Sequence, residues 1–150
     1  MKHNYERTLQ SYNSSIKIKV FVIISVLFIF LILFMVFYYF PQRAEVKLVN
    51  VATFDKLVRN EETFVLNVHT PYEEKIEGTD AVIEDWQNIR LYQDRLPKDK
   101  NTPVAVYCRS GRMSASAAQQ LKELGYKNIY DLKGGMIAWK ESGRAISIRN

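Results

Sequence analysis

Apolar residues form one nearly unbroken stretch close to the start of the chain. Residues 20–40 are all hydrophobic except Ser25, and as a helix they would extend about 31 Å, which matches the hydrocarbon core of a bilayer. Lys17 and Lys19 precede the stretch, and Pro41 follows it as a helix-stopping residue. The pattern therefore predicts one transmembrane helix over residues 20–40, in contact with the lipid bilayer.

A cleaved signal peptide and a buried core helix are two further kinds of segment with a long apolar stretch. This stretch is longer than a secretory apolar region, lacks a small-residue cleavage site, and has no polar face. We therefore expect a retained single-pass anchor in the cell membrane. Residues 1–19 would form a basic N-terminal tail, residues 41–45 a linker, and residues 46–150 one folded domain.

Beyond the linker, short apolar segments with strand-like and helix-like spacing alternate along the chain. Such alternation is typical of an α/β domain with a mainly parallel sheet and helices on its faces. Thr53 is the expected N-cap of the first helix, and Gly125 is the expected left-handed stop of the third. We predict strands at 46–50, 63–68, 104–107 and 128–132, helices at 53–60, 86–95, 114–124 and 136–142, and a mostly loop segment at 70–85.

The charge is unevenly distributed. The chain has a net charge of +5, and +3 of this lies in residues 1–19. The remaining domain is nearly balanced, which argues against a nucleic-acid-binding protein. Lys17 and Lys19 lie directly before the helix, and long domains cross membranes largely regardless of their charge. Both points favour a cytoplasmic N-terminus and a domain outside the cytoplasm.

A single cysteine limits the possible chemistry. It excludes an intramolecular disulfide framework, a CxxC redox pair and any zinc or iron–sulfur site with several cysteines. His3 and His69 are the two histidines, and neither has a second ligand at metal-binding spacing. We therefore expect no metal ion and no other cofactor.

The cysteine lies where chemistry is expected in a parallel sheet. Cys108 directly follows the predicted strand 104–107, in a short loop that leads into a helix. Backbone N–H groups and a helix N-terminus at such a place attract an anion, and Arg109 and Arg112 add two positive charges. These charges favour the nucleophilic thiolate over an inert buried thiol.

The segment Cys-Arg-Ser-Gly-Arg-Met-Ser at 108–114 and the Gly-Gly-x-x-x-Trp segment at 134–139 are recognisable together. From about Val46 to Ile146 the chain resembles a single rhodanese (sulfurtransferase) domain. The resemblance implies a five-stranded parallel sheet flanked by helices, preceded here by one transmembrane helix. It also implies that Cys108 is the catalytic residue and carries a transferable sulfur as a persulfide.

By this resemblance, Cys108 takes sulfur from a small anionic donor such as thiosulfate and passes it to a thiol, free or on a protein, or to cyanide. Arg112 is the expected clamp for the donor, whereas the side chain of Arg109 has two interpretations, a substrate contact or a structural ion pair. The implied substrate-binding set comprises Arg109, Ser110, Gly111, Arg112, Met113 and Ser114.

Several positions depart from the family pattern. Asn67 stands where an aspartate is usual, His69 where an arginine is usual, and Thr79 where a histidine is frequent. Three alternative functions remain: a non-catalytic sulfur-binding or interaction module, a thiol-redox role with a partner's cysteine, and a phosphatase. A phosphatase on this architecture needs an arginine six residues after the cysteine, and Ser114 occupies that position.

Overall fold

The computed structural model describes residues 2–39 and 44–148, and the chain divides into two compact units, Met1–Gln42 and Arg43–Asn150. In the first unit, helix α1 covers Lys2–Tyr39. Its 23-residue segment Ile16–Tyr38 contains an 18-residue window with a mean hydropathy of 3.4, so the segment is long and apolar enough to cross a membrane. The Ser25 hydroxyl donates to the carbonyl oxygen of Phe21, which satisfies the one polar side chain of the apolar stretch.

The helix begins much earlier than the predicted apolar stretch. The predicted tail, residues 1–19, contains neither proline nor glycine, so nothing in it interrupts the helix that starts at Lys2. Most of the predicted linker, including Pro41, lies outside the described residues. Its last member, Glu45, already belongs to the first strand of the second unit.

The second unit contains seven strands, three α-helices and one 3₁₀-helix among its described residues. Five strands form a parallel sheet in the order β1-β6-β5-β2-β4, and β3 and β7 form a separate antiparallel pair. The elements in chain order are β1 (Glu45–Val49), α2 (Val51–Val58), β2 (Phe64–Asn67), β3 (Glu74–Ile76), β4 (Ala81–Val82), a 3₁₀-helix (Ile89–Arg95), β5 (Val104–Tyr107), α3 (Arg112–Glu123), β6 (Asn128–Leu132), α4 (Gly135–Glu141) and β7 (Ile146–Ile148).

Helices cover both faces of the sheet, and all four residues of the central strand β5 are buried. Val104 and Val106 of β5 belong to the apolar cluster that includes α3 and the 3₁₀-helix. Ala105 and Tyr107 belong to the cluster that includes α2 and α4. The prediction of a five-stranded parallel sheet flanked by helices is confirmed.

Of the two ends of α3, the sequence predicted the C-terminal end correctly and the start two residues too late. Gly125 adopts the left-handed conformation at φ +91°, as predicted. The amide of Tyr126 donates to the carbonyl of Leu121 and that of Gly125 donates to Lys122, so the helix ends in a Schellman motif. Its start lies two residues earlier than predicted, at Arg112.

One other prediction needs correction. The N-cap of α2 is Asn50 and not Thr53, because the Asn50 side chain accepts the Thr53 amide at 2.9 Å. The segment 70–85 is mostly loop, as predicted, and it also contains the short strands β3 and β4. These strands, like the unpredicted β7, have two or three residues each, too few for an apolar alternation to be visible.

Candidate active site

Cys108 directly follows β5, at the carboxyl edge of the sheet and between β6 and β2. Only 1% of its surface is exposed. The loop after it reverses at Gly111, which has φ +99° and lies in the left-handed region that favours glycine. As a result, the Gly111 amide points back and donates to Cys108 Sγ at 3.2 Å. An N–H in this position stabilises negative charge on the sulfur.

The Gly-Gly-x-x-x-Trp segment holds this loop from the other side. The amide of Met136 donates to the Cys108 carbonyl at 2.9 Å, and that of Ile137 donates to the Arg109 carbonyl at 3.0 Å. The first turn of α4 therefore satisfies the backbone of the cysteine loop. Gly135 allows this approach, because a Cβ there would lie 2.7 Å from the Arg109 carbonyl carbon and oxygen and closer still to the Cys108 carbonyl oxygen.

A cavity of about 300 Å³ opens above the cysteine, and we call it the main hollow. A smaller recess, the inner recess, adjoins it on the side of β3 and α4. The main hollow is lined by His69, Thr70, Pro71, Glu73, Cys108, Arg109, Ser110, Arg112 and Met113. The inner recess is lined by Asn67, His69, Glu73, Glu74, Tyr107, Cys108, Arg109 and Met136.

Two arginines line the main hollow and are exposed to solvent, Arg109 in the loop and Arg112 at the first position of α3. Within residues 2–39 and 44–148, neither guanidinium has an ion pair within 4.0 Å. A structural ion pair of Arg109 is therefore not seen in the described part of the chain. Both charges face the space in which an anion would approach the cysteine.

Most of the predicted binding set surrounds this space. Ser110 and Met113 line the main hollow with the two arginines, and Gly111 contributes its amide to the sulfur. Ser114 differs, because it is fully buried and does not line the hollow. Its hydroxyl donates to the Gly111 carbonyl at 3.2 Å, so this side chain stabilises the loop rather than reaching into the hollow.

Asp131 is a buried acid beneath the loop that the sequence reasoning did not single out. Burial is the main cause that raises the pKa of its carboxyl from 3.8 to about 6. It occupies an inward position of β6 and is 3% exposed. The available signal was a charged residue between Tyr130 and the apolar Leu132 in a predicted strand.

His69 and Asn67 mark the departure from the family pattern at the end of β2. Asn67 acts structurally: its side chain donates to the Glu74 carbonyl at 3.1 Å and accepts the His69 amide at 2.9 Å. His69 is 9% exposed and lines both the main hollow and the inner recess. The sequence indicated that His69 departs from the family pattern and has no second metal ligand at a suitable spacing, but nothing local links it to Cys108.

Comparisons with known proteins agree with this geometry. Residues 53–142 match the model of the family described as Rhodanese-like domain. A sulfurtransferase from Allochromatium vinosum is 33% identical over 93 residues, which cover 61% of this chain and 84% of that protein. A rhodanese-related protein from Thermoplasma volcanium superposes with a TM-score of 0.58 at 26% identity, over 69% of this chain and 99% of that one.

A third relative is much longer than the region that aligns with this chain. The tRNA uridine(34) hydroxylase of Pelagibacter ubique is 36% identical over 86 residues, and these cover 55% of this chain but only 28% of that protein. From the family match, the fold and the placement of the cysteine loop, the chain belongs to the rhodanese-like domain family.

Proposed function

We propose that this protein is a membrane-anchored sulfurtransferase that carries sulfur as a persulfide on Cys108. The observation that carries the proposal is the setting of the chain's one cysteine. Its sulfur accepts the Gly111 amide, and it lines a hollow that also contains two arginines, Arg109 and Arg112. Such a setting suits a nucleophilic thiolate and an anionic sulfur donor.

In the first half-reaction, the Cys108 thiolate attacks the outer sulfur of thiosulfate or a similar donor. A new S–S bond forms on Cys108, the donor's S–S bond breaks, and sulfite leaves with the electron pair. Arg112 holds the sulfonate oxygens, with Arg109 beside it. The Gly111 amide stabilises the negative charge on the cysteine sulfur before the attack.

In the second half-reaction, an acceptor thiolate attacks the outer sulfur of the persulfide and leaves with it. The Cys108 thiolate is then regenerated with no change in the net oxidation state of the enzyme. Cyanide would take the same sulfur and give thiocyanate. Two ionised sulfur species thus alternate at one place, which explains why the site has fixed cationic and N–H groups and uses no second cysteine.

We infer that helix α1 anchors this activity in the cell membrane, with the domain outside the cytoplasm. The length and hydropathy of Ile16–Tyr38 support the anchor. Lys17 and Lys19, at the N-terminal end of this segment, support the orientation. The test is a charged, membrane-impermeant thiosulfonate reagent added to intact cells, since Cys108 is the only possible target. Modification only after lysis would reverse the orientation.

The alternative functions are weaker on specific grounds. A phosphatase needs a sixth-position arginine, and Ser114 is there, fully buried and bonded to the loop. A binding module without catalysis would not need a sulfur with an N–H donor and cationic surroundings. Hydroxylation is not proposed, because the match to the Pelagibacter relative covers 28% of that protein.

The decisive experiment uses the full chain in detergent micelles. After incubation with thiosulfate, intact-protein mass spectrometry should show a gain of one sulfur atom, and added cyanide should remove it as thiocyanate. Cys108→Ser, the matched control, should show neither event. Absence of the mass gain with thiosulfate and with an alkyl persulfide donor would overturn the enzyme proposal in favour of a binding module. Full turnover by Cys108→Ser would overturn the assignment of the nucleophile.

A further inference from the structure

His69 carries a buried imidazole and lines the same two cavities as Cys108. It is 9% exposed, and within the described part of the chain neither Nδ1 nor Nε2 has a hydrogen-bond partner. Buried polar atoms without partners are rare, because each has lost its hydrogen bonds to water without gaining others. An imidazole whose two nitrogens both lack a hydrogen-bond partner is thus suited to form a hydrogen bond with a bound ligand.

The fold determines where this ring lies. Strands β2 and β5 pair in parallel with Asn67 opposite Tyr107, so His69 and Cys108 both follow the ends of neighbouring strands. Both side chains line the main hollow and also the inner recess. The His69 amide is held by Asn67 Oδ1 at 2.9 Å, which fixes the backbone that carries the ring.

The Glu73 carboxylate lies near the His69 imidazole. Glu73 Oε2 lies 3.7 Å from His69 Nε2, close enough to stabilise the imidazolium once the ring has gained a proton. An acid that orients and supports a histidine next to a cysteine is a recurring arrangement for proton transfer at sulfur. The other titratable or charged groups lining the two cavities with His69 are Glu74, Tyr107, Cys108, Arg109 and Arg112.

We propose that His69 is a catalytic base of the second half-reaction, which removes the proton from the acceptor thiol as that thiol attacks the persulfide. The proposal rests on the sulfurtransferase function proposed above and identifies the acceptor class as protonated thiols. A free thiol near pH 7 is largely protonated and a poor nucleophile, because its ordinary pKa is about 8.5. A base at the site makes such a thiol usable.

The acceptor S–H bond breaks and its proton moves to a ring nitrogen of His69. The acceptor sulfur forms a bond to the outer sulfur of the persulfide, the Cys108 S–S bond breaks, and Cys108 leaves as a thiolate. The proton on His69 is then released to solvent or to the product persulfide. Neither oxidant nor reductant is required.

The test compares two acceptors with the full chain in detergent micelles, preloaded with one sulfur on Cys108. One acceptor is a thiol such as glutathione, which must lose a proton, and the other is sulfite, which is ionised already. In His69→Gln we expect transfer to the thiol to fall about 100-fold at pH 7, the usual contribution of a general base. Transfer to sulfite should change by less than about 3-fold, since no proton is removed.

The pH dependence adds a readout that a merely structural role would not alter. The deficit of His69→Gln should shrink as the pH approaches the pKa of the acceptor thiol, because the acceptor then ionises without help. The matched control is His3→Gln, which removes the chain's other histidine and should leave both transfers unchanged. Glu73→Gln should slow thiol transfer by a smaller factor than His69→Gln.

Each outcome separates this proposal from the one on which it rests. Equal losses with both acceptors, or no loss with either, would overturn the role of His69 while the persulfide on Cys108 stands. Failure of the unaltered chain to gain sulfur would overturn the proposed function itself. If His69→Gln does not fold, the pH dependence of the unaltered chain is the test. A rate of thiol transfer that rises tenfold per pH unit up to the acceptor's pKa would refute the base, because it would mean that only thiol already ionised in solution reacts.

Discussion

Gly135→Ala tests whether α4 holds the cysteine loop in its reactive shape. The added Cβ would lie 2.7 Å from the carbonyl carbon and oxygen of Arg109, and these are backbone atoms with no flexible end to move aside. The helix must therefore retreat from the loop. The bonds at risk are those from the Met136 and Ile137 amides to the carbonyls of Cys108 and Arg109.

The expected magnitude follows from three contributions. Two backbone hydrogen bonds contribute about 1 kcal/mol each, a Cβ at φ +58° costs about 1 kcal/mol, and relief of the overlap costs about 1–3 kcal/mol. We expect a loss of about 4–6 kcal/mol in the free energy of unfolding. We also expect slower persulfide formation, by about 10-fold or more, because displacement of the loop misplaces Cys108 Sγ.

The assay is urea unfolding of the full chain in detergent micelles, followed by tryptophan fluorescence. Trp86 and Trp139, the chain's two tryptophans, both lie in the second unit. The matched control is Gly143→Ala at the other end of α4, where φ is +73° but a Cβ would meet nothing within 4 Å. Only about 1 kcal/mol should be lost there. Equal losses in the two variants would refute the role assigned to Gly135.

Two further predictions concern charged groups at the site. The pKa of Asp131 is raised from 3.8 to about 6, so the native state holds the proton of this carboxyl more strongly than the unfolded state does. The protonated carboxyl therefore contributes fully to the free energy of unfolding below about pH 4, and this contribution is lost as the pH rises through about 6. Asp131→Asn should remove that decline, at most about 3 kcal/mol, in urea unfolding at pH 4 to 8, and an unchanged slope would contradict it. Arg112→Ala should raise the thiosulfate concentration for half-maximal persulfide formation by about 10-fold with little change at saturation, whereas Arg90→Ala, which removes an exposed arginine paired with Glu123, should have no effect. An unchanged value for Arg112→Ala would mean that it does not clamp the donor.

Features that depend on a pattern of neighbouring residues were predictable from the sequence. The buried strand β5, the cysteine directly after it, the glycine that ends α3 and the apolar segment within α1 each depend on a local pattern. Such patterns reflect backbone preferences and burial over a few neighbouring positions. The start of α3 was harder to predict, because its N-cap is Gly111, which has no side chain to cap the helix and so gives no N-cap signal in the sequence.

Features that join distant segments were decided by tertiary structure. Strand pairing places His69 beside Cys108, and the docking of α4 brings the Met136 amide onto the cysteine loop. Burial beneath that loop raises the pKa of Asp131. The sequence by itself thus predicted the class of fold and singled out Cys108 as the proposed nucleophile, since both depend on local pattern. Only the tertiary structure decided which groups surround that nucleophile, because sheet order and packing bring together residues that no local signal connects.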